Sequence, residues 1–209
     1  TYVKGFNRDS AIDADGDSTN DAWDSVRGGF RIDVAAADDD TLTLQGDVYS
    51  GREEDTTAVP ILVPPYNDLR DTTSQFSGGN MILRWQRTLS ATSDLGLQVY
   101  YDHTSRESGL LATLRKDTLD VDFQHRFALG DRHDVIWGLG YRLDHDETSG
   151  SDTVSFDPEN NDAHLFSAFL QDEIELYAER LYLTLGSKFE HNTYTGLEVQ
   201  PNGRLLWTP

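Results

Sequence analysis

The sequence predicts an all-β fold, an antiparallel up-and-down transmembrane β-barrel to which this chain contributes about ten strands. Apolar residues recur at every second position, short and long connections alternate, and aromatic residues gather near the ends of the predicted strands. No segment keeps a helical period. The longest apolar run, Ala58–Tyr66, contains three prolines. It is far shorter than the roughly 20 residues that a membrane-spanning helix needs, so we exclude a helical membrane protein.

The alternation is clearest between Asp134 and Asp144. Neighbouring side chains of a strand point to opposite faces of the sheet, so a period of two separates two environments. One face carries Val135, Trp137, Leu139, Tyr141 and Leu143, and the other carries Ile136, Gly138, Gly140, Arg142 and Asp144. A strand with both faces buried in protein would not carry Arg142 and Asp144. Because only alternate residues of a barrel strand meet lipid, the mean hydropathy of −0.56 is compatible with a membrane protein.

The same interpretation places ten strands in one partial barrel domain that covers residues 1–209. The predicted strands are 1–6, 22–35, 41–50, 75–87, 95–104, 116–127, 134–145, 163–176, 181–191 and 198–207. The segment 163–176 is the least regular, because Asp172 interrupts its apolar phase. A β-bulge, or an exit from the lipid zone near Asp172, would account for this irregularity.

Short and long connections alternate along the chain. The short ones are Ala36–Asp40, Thr88–Asp94, Ala128–His133 and Tyr177–Arg180. The long ones are Asn7–Asp21, Ser50–Ser74, Thr104–Lys116, Asp146–Asp162 and Asn192–Glu198. In outer-membrane barrels the tight turns face the periplasm and the long loops face the outside. We expect the apolar stretch Ala58–Tyr66 to pack within its loop, or to pack into the barrel mouth or form part of a ligand-binding surface.

Two sets of side chains are predicted to meet different solvents. The residues expected to face lipid are Val135, Trp137, Leu139, Tyr141, Leu143, Leu181, Leu183 and Leu185. The residues expected to face the barrel lumen are Asp120, Asp122, Arg126, Arg142, Lys188, Glu190 and Arg204. Charges of both signs on neighbouring strands can pair there.

Aromatic residues predict where the two membrane interfaces lie, because Tyr and Trp favour these zones. The girdle near the short turns is expected to contain Trp85, Trp137, Trp207 and Phe127. The girdle near the long loops is expected to contain Tyr49, Tyr101 and Tyr141.

Composition narrows the functional class. The chain has 37 acidic and 17 basic residues, a formal charge of −20, which argues against a nucleic-acid partner because such a partner selects a basic face. Solvated acidic loops explain this excess most simply. The absence of cysteine fits an envelope protein without disulfides. Residues Thr1–Phe6 read as a strand rather than as a signal peptide, so we expect a trimmed precursor or an excerpt of a longer chain.

The first long loop contains the densest group of carboxylates, Asp13, Asp15, Asp17 and Asp21. Oxygen-rich loops bind calcium, but an EF-hand needs glycine at the sixth position of its loop, and Gly16 comes at the fourth. A solvated acidic loop is therefore favoured over a metal site. The six histidines include no closely spaced metal-binding pair, and we predict neither a metal nor a cofactor.

Two sequence neighbourhoods suggest a surface protease as an alternative. Asp144-His145-Asp146 and Asp102-His103 lie near the expected barrel mouth, where Asp and His can act as partner and general base. A second Asp pair at a matching height is not apparent. We therefore predict that the chain is not an enzyme.

Three stretches resemble the barrel of TonB-dependent outer-membrane receptors. Phe166–Leu176 followed by Leu181–Glu190 is similar to the recurrent family hairpin that reads F-x-Q-D-E, turn, L-T-L-G-x-R/K-F/Y-E. Val199–Pro209 resembles the following strand, which usually reads P-x-x-R-L-x-W-x-P. Asp21–Asp33 with Asp40–Tyr49 resembles a mid-barrel hairpin. These motifs cover about a third of the chain, whereas the layout of strands and loops resembles the family over most of it.

The resemblance implies a barrel of about 22 strands that is filled by an N-terminal plug domain. Such a receptor, in the outer membrane of a Gram-negative bacterium, imports a ferric siderophore, another metal chelate or an oligosaccharide with energy delivered through the TonB complex. The sequence departs from this pattern because it contains no plug, no TonB-contacting segment and no closing strand. The expected partners are membrane lipid and, in the intact protein, the plug, the TonB complex and the imported ligand.

Two other functional classes remain open on the sequence alone. A complete small outer-membrane barrel could serve as an adhesin, a channel or a surface protease, and a plug upstream of this segment would exclude it. A soluble β-sandwich binding module, such as a lectin, would stay soluble without detergent. If the chain folds alone as part of a barrel, its open edge strands should make it aggregate or dimerise.

Overall fold

Ten antiparallel strands follow one another in a single sheet. The computed structural model describes residues 1–209. The strands are β1 (Tyr2–Arg8), β2 (Trp23–Ala37), β3 (Asp40–Pro60), β4 (Asn67–Ser90), β5 (Ser93–Ser108), β6 (Ala112–Leu129), β7 (His133–Ser149), β8 (Asn160–Tyr177), β9 (Leu181–Asn192) and β10 (Gly196–Trp207). Each strand pairs with the next in sequence, and β1 does not pair with β10, so the sheet is open along both edges. The predicted all-β, up-and-down order is confirmed.

The register follows from the period-two pattern. Leu119 lies opposite Leu143, and the next pair along the two strands is Asp120 opposite Arg142. Apolar residues therefore face apolar residues on one side of the sheet, and residues of opposite charge face each other on the other side. Cross-strand pairs of both kinds stabilise a sheet. A slip of one residue would move every apolar side chain to the charged side, so the alternation itself specifies the pairing.

Almost no side chain is buried in this sheet. Only six of 209 residues are buried, and the large apolar ones among them are Ile82 and Val135. A β-sandwich buries the inner faces of two sheets against each other. Here there is one sheet, and Leu139 in the clearest apolar row is 52% exposed. The sandwich alternative is therefore wrong. The structure has no helix long and apolar enough to cross a membrane.

Two of the predicted long loops are wrong. β3 runs on to Pro60 and β4 begins at Asn67, so most of Ser50–Ser74 is a paired hairpin. Residues 109–111 alone connect β5 to β6 within the predicted loop Thr104–Lys116. The threonines of β3 and β4 favour an extended chain because their branched side chains fit a pleated surface.

The hairpin of residues 54–73, which we name the β3–β4 arm, extends beyond the neighbouring strands. The pairing of β3 with β2 ends at Glu53, and that of β4 with β5 ends at Gln75. Within the apolar stretch at its tip, Leu62 is 99% exposed and Val63 is 61% exposed. The expected packing of Ala58–Tyr66 within a loop is therefore wrong, because the paired strands of the β3–β4 arm hold the turn beyond the rest of the sheet. Its packing into a barrel mouth or its part in a ligand-binding surface stays a prediction.

Asp172 is accommodated without a bulge at that position. It lies opposite Val135 of β7 and Leu185 of β9 in an unbroken register. Its carboxylate is 2.7 Å from Nδ1 of His133, at the short-turn end of the sheet. The register shift of this strand falls later, between Glu175 and Tyr177. The predicted irregularity of β8 is therefore present, as a register shift that lies nearer the β8–β9 turn than Asp172.

The open edges predict self-association of the isolated chain. β1 and β10 each present unpaired backbone donors and acceptors, which form a template for pairing with another copy. Residues 1–209 refolded alone in detergent are expected to form dimers or larger assemblies in size-exclusion chromatography with light scattering. The full-length protein, in which we expect further strands to cover both edges, is the control. A monodisperse monomer of the isolated chain would contradict this prediction.

Candidate functional site

The register sorts the side chains into two continuous surfaces. We name them the apolar face, which contains Val135 and Leu139, and the charged face, which contains Asp120 and Arg142. Members of the apolar face on the other strands are Val26, Ile32, Leu42, Leu44, Met81, Leu83, Leu95, Leu97, Leu119, Phe123, Leu170, Leu183, Val199 and Leu205. The sheet therefore presents two chemically different surfaces over most of its width.

All eight residues predicted to face lipid lie on the apolar face. They are Val135, Trp137, Leu139, Tyr141, Leu143, Leu181, Leu183 and Leu185. The exposed fraction is 48% for Leu185 and 63% for Leu205. Contiguous apolar surfaces this extensive are rare on soluble monomers, since each exposed square ångström costs free energy in water. The apolar face therefore needs a partner, either lipid or protein.

All seven residues predicted to face the lumen lie on the charged face, where most are paired. Arg142 Nε is 2.9 Å from Asp120 Oδ2, and Arg126 Nε is 2.9 Å from Asp134 Oδ1. Lys188 Nζ lies 2.7 Å from Glu190 Oε1 within β9. These are half-exposed pairs, which contribute little stability each but keep the surface both polar and nearly neutral.

The two remaining predicted lumen residues differ in their partners. Arg204 of β10 lies 3.8 Å from Glu173 of β8 across the intervening strand. Asp122 has no basic partner and accepts a hydrogen bond from the Gln124 amide at 3.1 Å. The charged face thus combines satisfied ion pairs with an occasional free carboxylate.

Several aromatic residues of the apolar face have partners for their polar atoms, whereas Trp207 is 69% exposed. Trp85 Nε1 donates to Asp40 Oδ1 at 2.9 Å, and Trp137 Nε1 donates to His125 Nδ1 at 3.2 Å. At the other end of the sheet, the hydroxyl of Tyr101 bonds Asp117 at 2.5 Å. Rings that pack against apolar neighbours while their polar atoms remain bonded are typical of the membrane interface.

Tyr49 is not part of a girdle. It pairs with Arg27 and Gly78, which places it on the charged face. The prediction for this residue is wrong because it rested on closeness to the strand end and ignored the phase, in which neighbouring Val48 belongs to the apolar face.

Within β1 to β4, four other aromatic side chains share the charged face with Tyr49, and we name this group of five the aromatic patch. Its members, from β1 to β4, are Tyr2, Phe6, Trp23, Tyr49 and Phe76. Phe6 stacks on Trp23 with ring centroids 4.0 Å apart and an interplanar angle of 22°. The centroids of Tyr49 and Phe76 are 6.4 Å apart. This group was not predicted, although the strand phase of each residue places it on the charged face.

The protease residues are not brought together. Asp144 lies on the charged face, whereas His145 lies on the apolar face, because adjacent residues of a strand point to opposite sides. His145 Nδ1 instead contacts Asp162 Oδ1 of β8 at 2.5 Å. Asp102 and His103 are separated in the same way, and His103 Nδ1 lies 2.8 Å from Asp117. Neither neighbourhood forms a dyad on the charged face.

In the β1–β2 loop, the carboxylates bond backbone and hydroxyl groups. Asp13 Oδ1 accepts from the amides of Asp15 at 3.0 Å and Asp17 at 2.9 Å. Hydrogen bonds from the Thr19 hydroxyl (2.6 Å) and the Ala11 amide (2.8 Å) hold the pKa of Asp21 below its ordinary value of 3.8. No group of three or more acidic or histidine side chains in the structure is arranged to hold a metal ion.

Comparison with known proteins shows the fold. No protein-family model and no curated protein sequence matches the chain. The copper transporter OprC matches 97% of this chain with 36% of its own, at 13% identity and a TM-score of 0.62. The outer membrane transporter YddB from Escherichia coli matches 98% of this chain with 32% of its own, at 13% identity and a TM-score of 0.64. The siderophore receptor PirA from Pseudomonas aeruginosa matches 91% of this chain with 37% of its own, at 13% identity and a TM-score of 0.50.

These matches confirm the predicted fold class. The chain has the fold of an outer-membrane β-barrel segment and spans about a third of the length of each matched protein. The chain shares its fold with these outer-membrane proteins, and the expected outer-membrane location agrees with them.

Asp21 predicts a pH dependence of the β1–β2 loop. Because its pKa in the folded loop lies below 3.8, ionised Asp21 stabilises the loop above that pH, and this contribution is lost as the pH falls through the lowered pKa. Hydrogen exchange of residues 9–22, corrected for intrinsic rates, is expected to lose protection between about pH 5 and about pH 2. Asp21→Asn is the control and should remove this transition. Equal pH profiles of the two proteins would contradict the assignment.

Proposed function

We propose that this chain is a middle piece of the barrel of a TonB-dependent receptor, which imports a scarce ligand across the outer membrane of a Gram-negative bacterium. The observation that carries the proposal is the sheet itself. An apolar face and a charged face extend across antiparallel strands that share the fold of outer-membrane transporters. A closed barrel is the one β architecture that can meet hydrocarbon without leaving backbone groups unpaired.

In this proposal the apolar face contacts acyl chains, and Val135, Leu139 and Leu183 lie within the hydrocarbon zone. The strands are long enough, since a tilted membrane strand needs about 9–11 residues and β5 to β10 have 12 to 18. The unpaired edges of β1 and β10 support a larger parent barrel, in which further strands complete the wall.

The charged face lines the lumen, where water and the plug of the intact receptor would meet the ion pairs. The plug, the TonB complex and the imported ligand are partners of the whole protein rather than of this segment. A ferric siderophore, another metal chelate or an oligosaccharide would suit the family. The chain itself has no catalytic role, which is supported by the separation of Asp144 from His145 onto opposite faces.

The orientation of the two faces is tested by placing a charge on the apolar face. Leu139→Arg or Leu183→Arg is expected to destabilise the protein folded in a bilayer by about 2–4 kcal/mol, because a cation at the membrane midplane loses its hydration. The measurement is reversible denaturant titration of the full-length protein in lipid vesicles.

Gln124→Arg is the matched control on the charged face, where the new guanidinium can remain hydrated beside Asp122. Its effect on the folding free energy is expected to be small. Equal costs for Leu139→Arg and Gln124→Arg would overturn the assignment of lipid and lumen.

Energy coupling tests the proposed import. Cells that express the full-length protein are expected to accumulate a ligand in the periplasm, and this accumulation should stop when TonB is deleted or a protonophore is added. Surface binding of the ligand should persist under both conditions. The assay uses a panel of labelled ferric chelates and oligosaccharides. Accumulation that continues without energy would instead indicate a passive channel.

A further inference from the structure

The aromatic patch lies on the surface that the proposed function assigns to the lumen, and the inference drawn from it rests on that function. The five rings come from β1, β2, β3 and β4, so they cover roughly 15 Å across the sheet at about 4.8 Å per strand. Trp23, Tyr49 and Phe76, on strands that have neighbours on both sides, are partly exposed. Rings in the interior of a wall that faces water are costly unless something stacks on them.

Three of the rings lie over glycines on the neighbouring strand. Tyr49 is directly opposite Gly78, and a Cβ atom at Gly78 would come within 2.7 Å of Tyr49 Cζ. Tyr2 lies in the same way over Gly29, and Phe76 over Gly51. Because glycine has no side chain, each ring can rest against the backbone of the adjacent strand. One aromatic face is then covered by the sheet and the other is open to the lumen.

Most of the charges around the patch are paired with one another. Arg27 Nε lies 3.6 Å from Asp47 Oδ1, and the Tyr2 hydroxyl donates to the same carboxylate. Arg106 forms an ion pair with Glu53 at the border of the patch. These arginines already have carboxylate partners, and Lys4, opposite Arg27 on β1, is the one cation within the patch that has none. A multiply charged anion needs several unpaired cations.

We infer that the aromatic patch is a binding site for a neutral oligosaccharide. The C–H faces of a pyranose ring carry a weak positive polarisation and stack on the negative face of an aromatic ring. Sugar hydroxyls both donate and accept hydrogen bonds, so they can bond carboxylates and guanidinium groups that are already paired. A row of rings over several strands suits consecutive sugar units. A purely apolar ligand could not form hydrogen bonds with the surrounding ion pairs.

Binding to the full-length protein in detergent tests this inference. Maltohexaose, cellohexaose and chitohexaose are the neutral probes, and the ferric tris-catecholate complex is the anionic probe, each measured by isothermal titration calorimetry. At least one hexaose is expected to bind. Trp23→Ala and Tyr49→Ala should each weaken its binding by about 3- to 10-fold, since a stacking contact contributes about that factor.

Phe169→Ala is the matched control, because Phe169 also lies over a glycine on the charged face, Gly138, but on β8. It should leave hexaose binding unchanged. Heat-modifiable migration in SDS gels verifies that all three variants fold. Trp23→Ala and Tyr49→Ala proteins that fold and bind hexaose as tightly as the parent would place the sugar elsewhere and overturn the site.

The outcomes separate this inference from the proposed import function. If no hexaose binds, or only the ferric complex binds, the oligosaccharide assignment is overturned, whereas energy-dependent accumulation of the ferric complex would leave the import function intact. If a hexaose binds at the patch but is never accumulated with TonB present, the site stands and the import function fails.

Discussion

The structure depends on one constraint, the pairing of every strand's backbone with its neighbours. Of 146 backbone hydrogen bonds, 131 lie within the strands, so the sheet satisfies its own polar groups without help from side chains. The side chains are then free of the need to form a core, and only six residues are buried. This freedom allows the two faces to differ completely in chemistry. A membrane wall requires the same division, with hydrocarbon on one side and water on the other.

The period of two could be predicted from the sequence wherever the two solvents differ. The structure places Val135, Leu139 and Arg142 on the faces predicted for them, because alternation is a local property of the strand. The β3–β4 arm could not be recognised in this way. Below its apolar tip, both faces of the arm meet water and carry polar pairs such as Thr56 opposite Asp71, so the sequence there resembles a loop. Polar extensions of a sheet lose the signal that identifies its membrane part.

The candidate site was harder to predict than the fold, because it depends on the register between strands. Tyr49 and Gly78 are distant in sequence, and their contact follows from pairing between β3 and β4. Phase alone, however, would have moved Tyr49 out of the girdle. The same rule separates Asp144 from His145, although they are adjacent in sequence. Closeness in the chain suggested both wrong interpretations, and the geometry of a strand corrects both.

The location of the net charge connects the acidic composition to ligand choice. The charge of −20 does not reside mainly on the charged face, where Arg142, Arg126 and Lys188 have acidic partners. Much of the acidic excess lies in the long connections, as in the β1–β2 loop and in residues 150–159 between β7 and β8. Negative loops at the entrance repel anions over about a Debye length. Acidic long loops would thus favour the uncharged ligand that we infer for the aromatic patch.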